Sequence, residues 1–507
     1  MVTGRTAART IRDRAADAAL LTGLLVAAAA FMFVDRATPP IVLWDESRLA
    51  VNALEMVQRG WSLVTTYGFV PDLWNTKPPL MIWLMTASMQ MFGPSELALR
   101  LPAMIAALGT LVVVFVFVRK ATASRAAASL AVVLLATSIG FYGAHGARTA
   151  DYDALMCLFT TAYVALLYAL VHRCRPGWAL IIAAAALIAG ATLTKTIAGL
   201  MPGVGVAVYV VLAGRTRRVI ANPRHAVMLI AALVPLALFY LVRERVAPGF
   251  IDAALFNDAL GRLTNHLEYR ANPPWFYVEN LLVWGSFTLG PLVLLAPWAI
   301  RAAPPRARQA GGFALCCFAV QLLLVSVVKT RIYHYLLPAM PWLAIACAIG
   351  IDARVRQARR PRDQGGLTRR ERVLAAAVLG VMTLAIGSWV AFWRYDILVP
   401  RAFYPQSRYG DVLAALHDRA VRQVMIVDPG ISVGGELHYA PQLRFYALIW
   451  QRRGMTIAIR DRLPDRWPDV VVASCDPELR GVLLARAGSV VGQTGCSLAP
   501  PGLIAGK

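Results

Sequence analysis

Eleven apolar stretches, each near the roughly 20 residues a helix needs to cross about 30 Å of hydrocarbon, constrain this chain more than anything else in it. They lie approximately at 15–35, 101–118, 126–144, 154–171, 177–194, 196–213, 225–242, 276–299, 311–328, 335–351 and 373–393. The chain is 58% hydrophobic with a mean hydropathy of +0.58, whereas soluble domains are roughly 45–50% apolar. The fold class read from this is a polytopic α-helical membrane protein with about 11–13 transmembrane helices.

The formal charge of +23 would suit a nucleic-acid ligand, but the 51 Lys and Arg fall mostly in short runs between apolar stretches. No basic helix with interleaved aromatics appears, so nucleic acid is excluded as a partner. The basic runs set the topology instead. With the N-terminus inside, Arg5 to Arg14, Arg119 to Arg125, Arg173 and Arg175, Arg215 to Arg224, Arg301 to Arg308 and Arg354 to Arg372 all fall on the cytoplasmic side. Segments 36–100, 145–153, the turn at 195, 243–275, 329–334 and the tail from 394 then face outward.

The first outer loop, 36–100, is too long for a turn and holds two helix-like pieces, Glu46 to Gln58 and Pro79 to Phe92. Leu49, Ala53, Leu54 and Val57 form a stripe at helical spacing, which predicts an interfacial helix lying on the membrane. Beyond about residue 395 the long apolar runs stop. Strands are expected at Gln423 to Val427, Thr456 to Ile459 and Val470 to Ala473, and helices at Asp411 to Val421, Gln442 to Gln451 and Glu478 to Ala487. The predicted organisation is thus a transmembrane domain over 1–394 and a soluble extracytoplasmic α/β domain over 395–507. Cys475 and Cys496 fall in that tail, where an oxidising compartment would let them pair.

Unusual polar residues collect on the outer side: Asp45, Glu46, Arg48, Lys77, His145, Arg148, Asp151, Asp153, Lys195, Arg270, Lys329, Arg331, Tyr333 and His334. Ionisable groups beside a bilayer are expensive and usually functional. Lys and Arg can hold a phosphate by charge-assisted hydrogen bonds and stabilise charge growing on a leaving group. A positioned carboxylate can take the proton of an attacking hydroxyl. Each residue also has a plainer role: Asp45 and Glu46 suit the first turn of a helix, Lys77 can snorkel to headgroups, and His145 and His334 can serve as helix-end hydrogen bonders.

Taken together, Trp44-Asp45-Glu46-Ser47-Arg48, Lys77-Pro78-Pro79-Leu80 with Trp83, Arg100-Leu101-Pro102, His145-Gly146-Ala147-Arg148 with Asp151-Tyr152-Asp153, Leu193-Thr194-Lys195, and Lys329 through Pro338 resemble the GT-C integral-membrane glycosyltransferases. The branch resembled is that of the lipid A aminoarabinose transferase and the protein O-mannosyltransferases, over residues 1 to about 345. The resemblance implies inverting transfer of a sugar from a polyprenyl-phosphate donor to a hydroxyl of a lipid, glycan or protein acceptor, at the outer face of a bacterial inner membrane. It implies Asp45 as general base and Asp153 as a second catalytic acid. Glu46, Arg48, Lys77, Arg148, Asp151, Lys195, Arg270, Lys329, Arg331 and Tyr333 are the implied substrate-binding residues, with Arg148 orienting Asp153. The family usually places Glu before Lys-Pro-Pro-Leu, where it can contribute to a metal site, but this chain has Thr76; a divalent cation would fall to Asp153 and His145, with His266 as a further candidate. A transporter or flippase of lipid-linked sugar is the alternative function, and a structural scaffold is a third.

Overall fold

The computed structural model describes residues 2–33, 40–41, 45–173, 176–264, 272–284, 290–359, 408–429, 440–486, 488–491 and 495–501, with isolated positions between 369 and 387. It divides into two compact units: one formed by 1–34, 71–81 and 100–398, the other by 35–70, 82–99 and 399–507.

The first unit is helical. Among the described residues of the chain, seven helices are long and apolar enough to cross a membrane: Arg12–Phe33, Glu96–Thr122, Tyr152–Val171, Trp178–Gly199, Pro223–Val246, Pro305–Val327 and Tyr333–Ala358. They coincide with seven of the eleven expected spans. The stretch at 126–144 is instead broken into Arg125–Ala136 and Ile139–Tyr142. Ser138 between them turns out of helical geometry, at φ −78° and ψ 121°. The stretch at 196–213 opens with a 3-10 turn, Thr196–Gly199, before the helix Met201–Leu212. Within 276–299 the described pieces are Phe276–Glu279, a π-helical turn and Gly290–Ile300. The stretch at 373–393 lies outside the described residues apart from isolated positions.

Aromatic and small residues build this core. Trp342, 1% exposed, meets Phe117 and Phe313 edge-on with centroids 5.5 Å apart in each case, an arrangement favoured by the ring quadrupoles. Gly205 lets Met201–Leu212 approach Pro305–Val327 closely: a Cβ there would lie 2.8 Å from the Cys317 Cα.

In the second unit the expected helix at Glu46 is present as Asp45–Arg59. Its surroundings differ from those expected. Every residue from Glu46 to Met56 is buried, so Leu49, Ala53 and Leu54 pack on protein rather than on lipid. The cause lies in the buried Glu55 carboxylate, which accepts from Thr66 Oγ1 at 2.7 Å, Gly68 N at 2.8 Å and Phe69 N at 2.9 Å, and pairs with Arg444 Nε at 3.2 Å. That carboxylate binds the helix to the strand Thr66–Tyr67 (β1), to the turn that leads from it into Val70–Pro71 (β2), and to the helix Pro441–Arg452. Tyr446 of the same helix donates to Glu96 at 2.9 Å and accepts from Ile41 N at 3.1 Å.

The tail forms a five-stranded sheet from Gln423–Val427 (β3), Thr456–Arg460 (β4), Val471–Ser474 (β5), Ser489–Val490 (β6) and Ser497–Ala499 (β7), in the order β4-β3-β5-β7-β6. β3 pairs parallel with β4 and β5; β7 pairs antiparallel with β5 and β6. Helices Tyr409–Asp418, Pro441–Arg452 and Pro477–Ala485 accompany the strands, and Val427, Val472, Leu483 and Ala499 form a small core. Cys475 and Cys496 are joined by a disulfide that flanks the Ser474–Ser497 rung. Closing a loop of separation 21 removes enough unfolded-state entropy to contribute about 3 kcal/mol. Cys475→Ser is therefore expected to lower the urea midpoint of this domain, read by near-ultraviolet circular dichroism, and an unchanged midpoint would contradict that.

Candidate functional site

The loop that brings His145 to the start of a membrane helix is built on an unusual backbone. His145 adopts φ +61°, and its N–H donates to Thr149 Oγ1 at 2.8 Å. Gly146 follows because a Cβ there would meet the Phe141 carbonyl oxygen at 2.1 Å. The loop ends at Asp151, which caps the helix Tyr152–Val171 by accepting from Tyr152 N at 2.6 Å. The other Asp151 oxygen contacts His145 Nδ1. Burial alone would raise the Asp151 carboxyl, but the His145 imidazole, aided by Lys195, brings it from 3.8 to about 2. The lowered carboxyl contributes stability that is lost as the pH falls through its range.

In the first turn of the helix, Asp153 is 1% exposed. Lys195, the last residue of the helix Trp178–Lys195, donates to Asp153 Oδ2 at 2.6 Å. The cation paired with Asp153 is thus Lys195, for which the family resemblance implied substrate binding. Asp153 Oδ1 is buried and has no hydrogen-bond partner among the described residues.

Segment 329–335 approaches the same loop. His334 stacks on His145 with ring centroids 4.0 Å apart, and Tyr333, 41% exposed, lies edge-on to His145 at 5.7 Å. Lys329 is exposed. Arg331 is turned to backbone carbonyls, donating to Asn272 O at 2.6 Å and Ser326 O at 3.0 Å, so its charge braces the segment. One nitrogen from each of His145 and His334 and one oxygen of Asp153 lie within 4.8 Å of one another. Two imidazoles and a carboxylate suit a zinc-like divalent cation.

A third strand of the site runs through 72–77. Asp72 accepts from Trp74 N at 3.0 Å and Asn75 N at 3.2 Å, closing a turn, and Asn75 Nδ2 donates to the Tyr152 hydroxyl at 2.9 Å. Lys77 Nζ lies 3.5 Å from Asp258, a residue not anticipated from sequence. The sequence marks it only as one of two acids, with Asp252, in the mainly apolar Phe250–Leu260 of a segment assigned outward.

Asp45, Glu46 and Arg48 belong to the second unit. Asp45 and Glu46 form the first turn of Asp45–Arg59, where a helix N-terminus favours negative charge, and Glu46 is 3% exposed. The Arg48 guanidinium lies 3.7 Å from the Tyr67 ring centroid, a cation–π contact. Arg270 and His266 lie outside the described residues.

Comparison with known proteins gives this geometry a context. Residues 76–242 match the family described as dolichyl-phosphate-mannose-protein mannosyltransferase. An undecaprenyl phosphate-alpha-4-amino-4-deoxy-L-arabinose arabinosyl transferase of Shewanella sediminis is 29% identical over 327 residues, covering 61% of this chain and 56% of the relative. An uncharacterized protein of Aquifex aeolicus is 28% identical over 310 residues, 60% of this chain and 58% of its own. The matches thus span under three fifths of the length of these curated relatives. Among solved structures, ArnT from Cupriavidus metallidurans bound to undecaprenyl phosphate superposes with a TM-score of 0.65 at 17% identity, covering 94% of this chain and 97% of that one.

Proposed function

We propose that this chain, which has the fold of the GT-C integral-membrane glycosyltransferases, is an inverting transferase that moves a sugar from a polyprenyl-phosphate carrier to a hydroxyl acceptor. The observation that carries the reading is the joining of Asp153, Lys195, His145 and Asp151 at the ends of membrane helices in a chain of this fold. Structural ion pairs in a helical bundle do not call for a histidine stack and an unpartnered carboxylate oxygen beside them.

In the reaction the acceptor oxygen attacks the anomeric carbon from the face opposite the phosphate. The C–O bond to phosphate breaks, its electron pair leaves with the phosphate, and the acceptor proton passes to Asp45. A phosphodiester becomes a monoester, so negative charge grows on the departing group; Lys77 and Lys329 are the cations assigned to it. Asp153, held by Lys195, orients the reacting groups. A divalent cation held by His145, His334 and Asp153 would supply further positive charge. The contact of Asp151 with His145 is the carboxylate–imidazole pairing that orients ligating histidines.

The site belongs to the extracytoplasmic side of a bacterial inner membrane. Support comes from the basic cytoplasmic loops and from the Cys475–Cys496 disulfide, which persists in an oxidising compartment. The acceptor class is a lipid, a glycan or a protein.

The test is purified protein in lipid with a labelled polyprenyl-phosphate sugar. Covalent transfer with release of the lipid phosphate is expected. Movement of the donor between leaflets without product would replace this reading with a transporter. Repeating the assay after chelation, with metal content measured alongside, tests the cation: tightly held metal that restores turnover supports the site, and full turnover by metal-free protein removes it.

A further inference from the structure

Resting on the transfer reading, we infer that Asp258 is a positioning residue for the phosphate-binding Lys77, delivered by a strap over residues 256–264. Both oxygens of its carboxylate are committed to one short stretch. Asp258 Oδ1 lies 3.5 Å from Lys77 Nζ, and Asp258 Oδ2 accepts from Thr76 Oγ1 at 2.7 Å. Thr76 is fully buried, and the Lys77 and Asp258 side chains are only 15% and 10% exposed. The ammonium is thereby fixed from one side, and the Tyr152 ring, centred 5.9 Å away, bounds it on another.

The strap is itself anchored at both ends of the candidate phosphate site. Asp258 sits in the π-helical turn Phe256–Leu260, a geometry frequent where a helix serves a site. Asn257 Nδ2 reaches Leu73 O at 3.5 Å, and Arg243 Nη2 reaches Asp72 O at 3.3 Å, which ties this region to 72–77. One turn on from Asp258, Arg262 donates to the Tyr335 hydroxyl at 2.5 Å, and Arg262 O accepts from Thr330 N at 3.2 Å, which ties it to 329–335. Asp258 and Arg262, four residues apart, thus hold Lys77 and the segment carrying Lys329 and Tyr333 in fixed relation.

The energetic consequence follows from when Lys77 matters. Negative charge on the phosphate increases as the sugar leaves, so a well-placed ammonium acts more on the transition state than on the bound donor. Losing its placement should lower kcat and leave the donor KM nearly unchanged.

The test is a double-mutant cycle on the full chain. Asp258→Asn and Thr76→Val are each expected to lower kcat about tenfold with the donor KM moving less than about threefold, while neither lowers kcat further in a Lys77→Met background. Thr76→Ser should restore wild-type turnover, because the hydroxyl alone is required. Where Lys77→Met leaves too little turnover to multiply, the same cycle is read in the binding of undecaprenyl phosphate. Should Asp258→Asn not accumulate in the membrane, Thr76→Val and Thr76→Ser decide. Effects that multiply with Lys77→Met, wild-type kcat in Thr76→Val, or a loss confined to KM would overturn the inference. Absence of product from the wild type would instead sink the transfer reading itself, so the two failures are separable.

Discussion

Asp45→Asn is expected to reduce transfer about a thousandfold, within the 10²–10⁴ range of general-base catalysis, while leaving binding of the lipid phosphate and folding intact. The substitution keeps size and shape. Asn serves well at helix starts, so the first turn of Asp45–Arg59 retains its favourable end. What is lost is the capacity to accept the acceptor's proton. On the proposed reading the donor's phosphate is held by cations, all of which remain in the Asp45→Asn chain. The expected pattern is therefore collapse of kcat with an unchanged dissociation constant for undecaprenyl phosphate, measured on detergent-purified protein whose elution profile matches the wild type. Turnover near the wild-type level would remove Asp45 from the reaction, and weakened lipid-phosphate binding would make it a binding residue.

How far the sequence foretells this site depends on the kind of signal each residue carries. Long apolar helices announce themselves because crossing hydrocarbon demands length and apolarity in one continuous stretch, and so Tyr152–Val171, Pro223–Val246 and Pro305–Val327 are legible. The break at Ser138 is not, because periodicity reports the apolar content of 126–144 but not where its backbone turns. In the tail, β3, β4 and β5 are read as strands, whereas the two- and three-residue β6 and β7 carry too few residues to form a pattern. The helix at Asp45–Arg59 illustrates a different limit. Its apolar stripe is visible, but what covers the stripe is decided by Glu55 and its partners at Thr66, Gly68, Phe69 and Arg444, the last nearly 400 residues away in sequence.

Charged residues show the same division. Lys77, Asp153 and Lys195 stand out as ionisable groups at helix ends, because such groups are costly there. Their partners do not stand out. The pairing of Asp153 with Lys195 follows from the packing of Tyr152–Val171 against Trp178–Lys195, and Asp258 reaches Lys77 through a π-turn with no sequence signature. Arg331 exposes the converse: a cation in the right segment whose hydrogen bonds go to Asn272 and Ser326 carbonyls.

Lys195→Met should be among the most destabilising single changes in the first unit. The methionine fills much of the lysine's volume, so the cost is electrostatic: an Asp153 carboxylate only 1% exposed loses the ammonium 2.6 Å away. Removing one partner of a buried ion pair typically costs about 3–5 kcal/mol, because the remaining charge has neither water nor a counter-ion. Two outcomes separate this cause from lost packing. Asp153→Asn introduced with Lys195→Met should recover most of the thermal midpoint of the detergent-solubilised protein, since no buried charge remains to be offset. The single variant should also regain stability as the pH falls, because a proton can take the lysine's place on Asp153, whereas a packing defect would be indifferent to pH. If the double variant melts no higher than Lys195→Met alone, the pair is not what holds these two helix ends together, and the orientation of Asp153 must come from its helix.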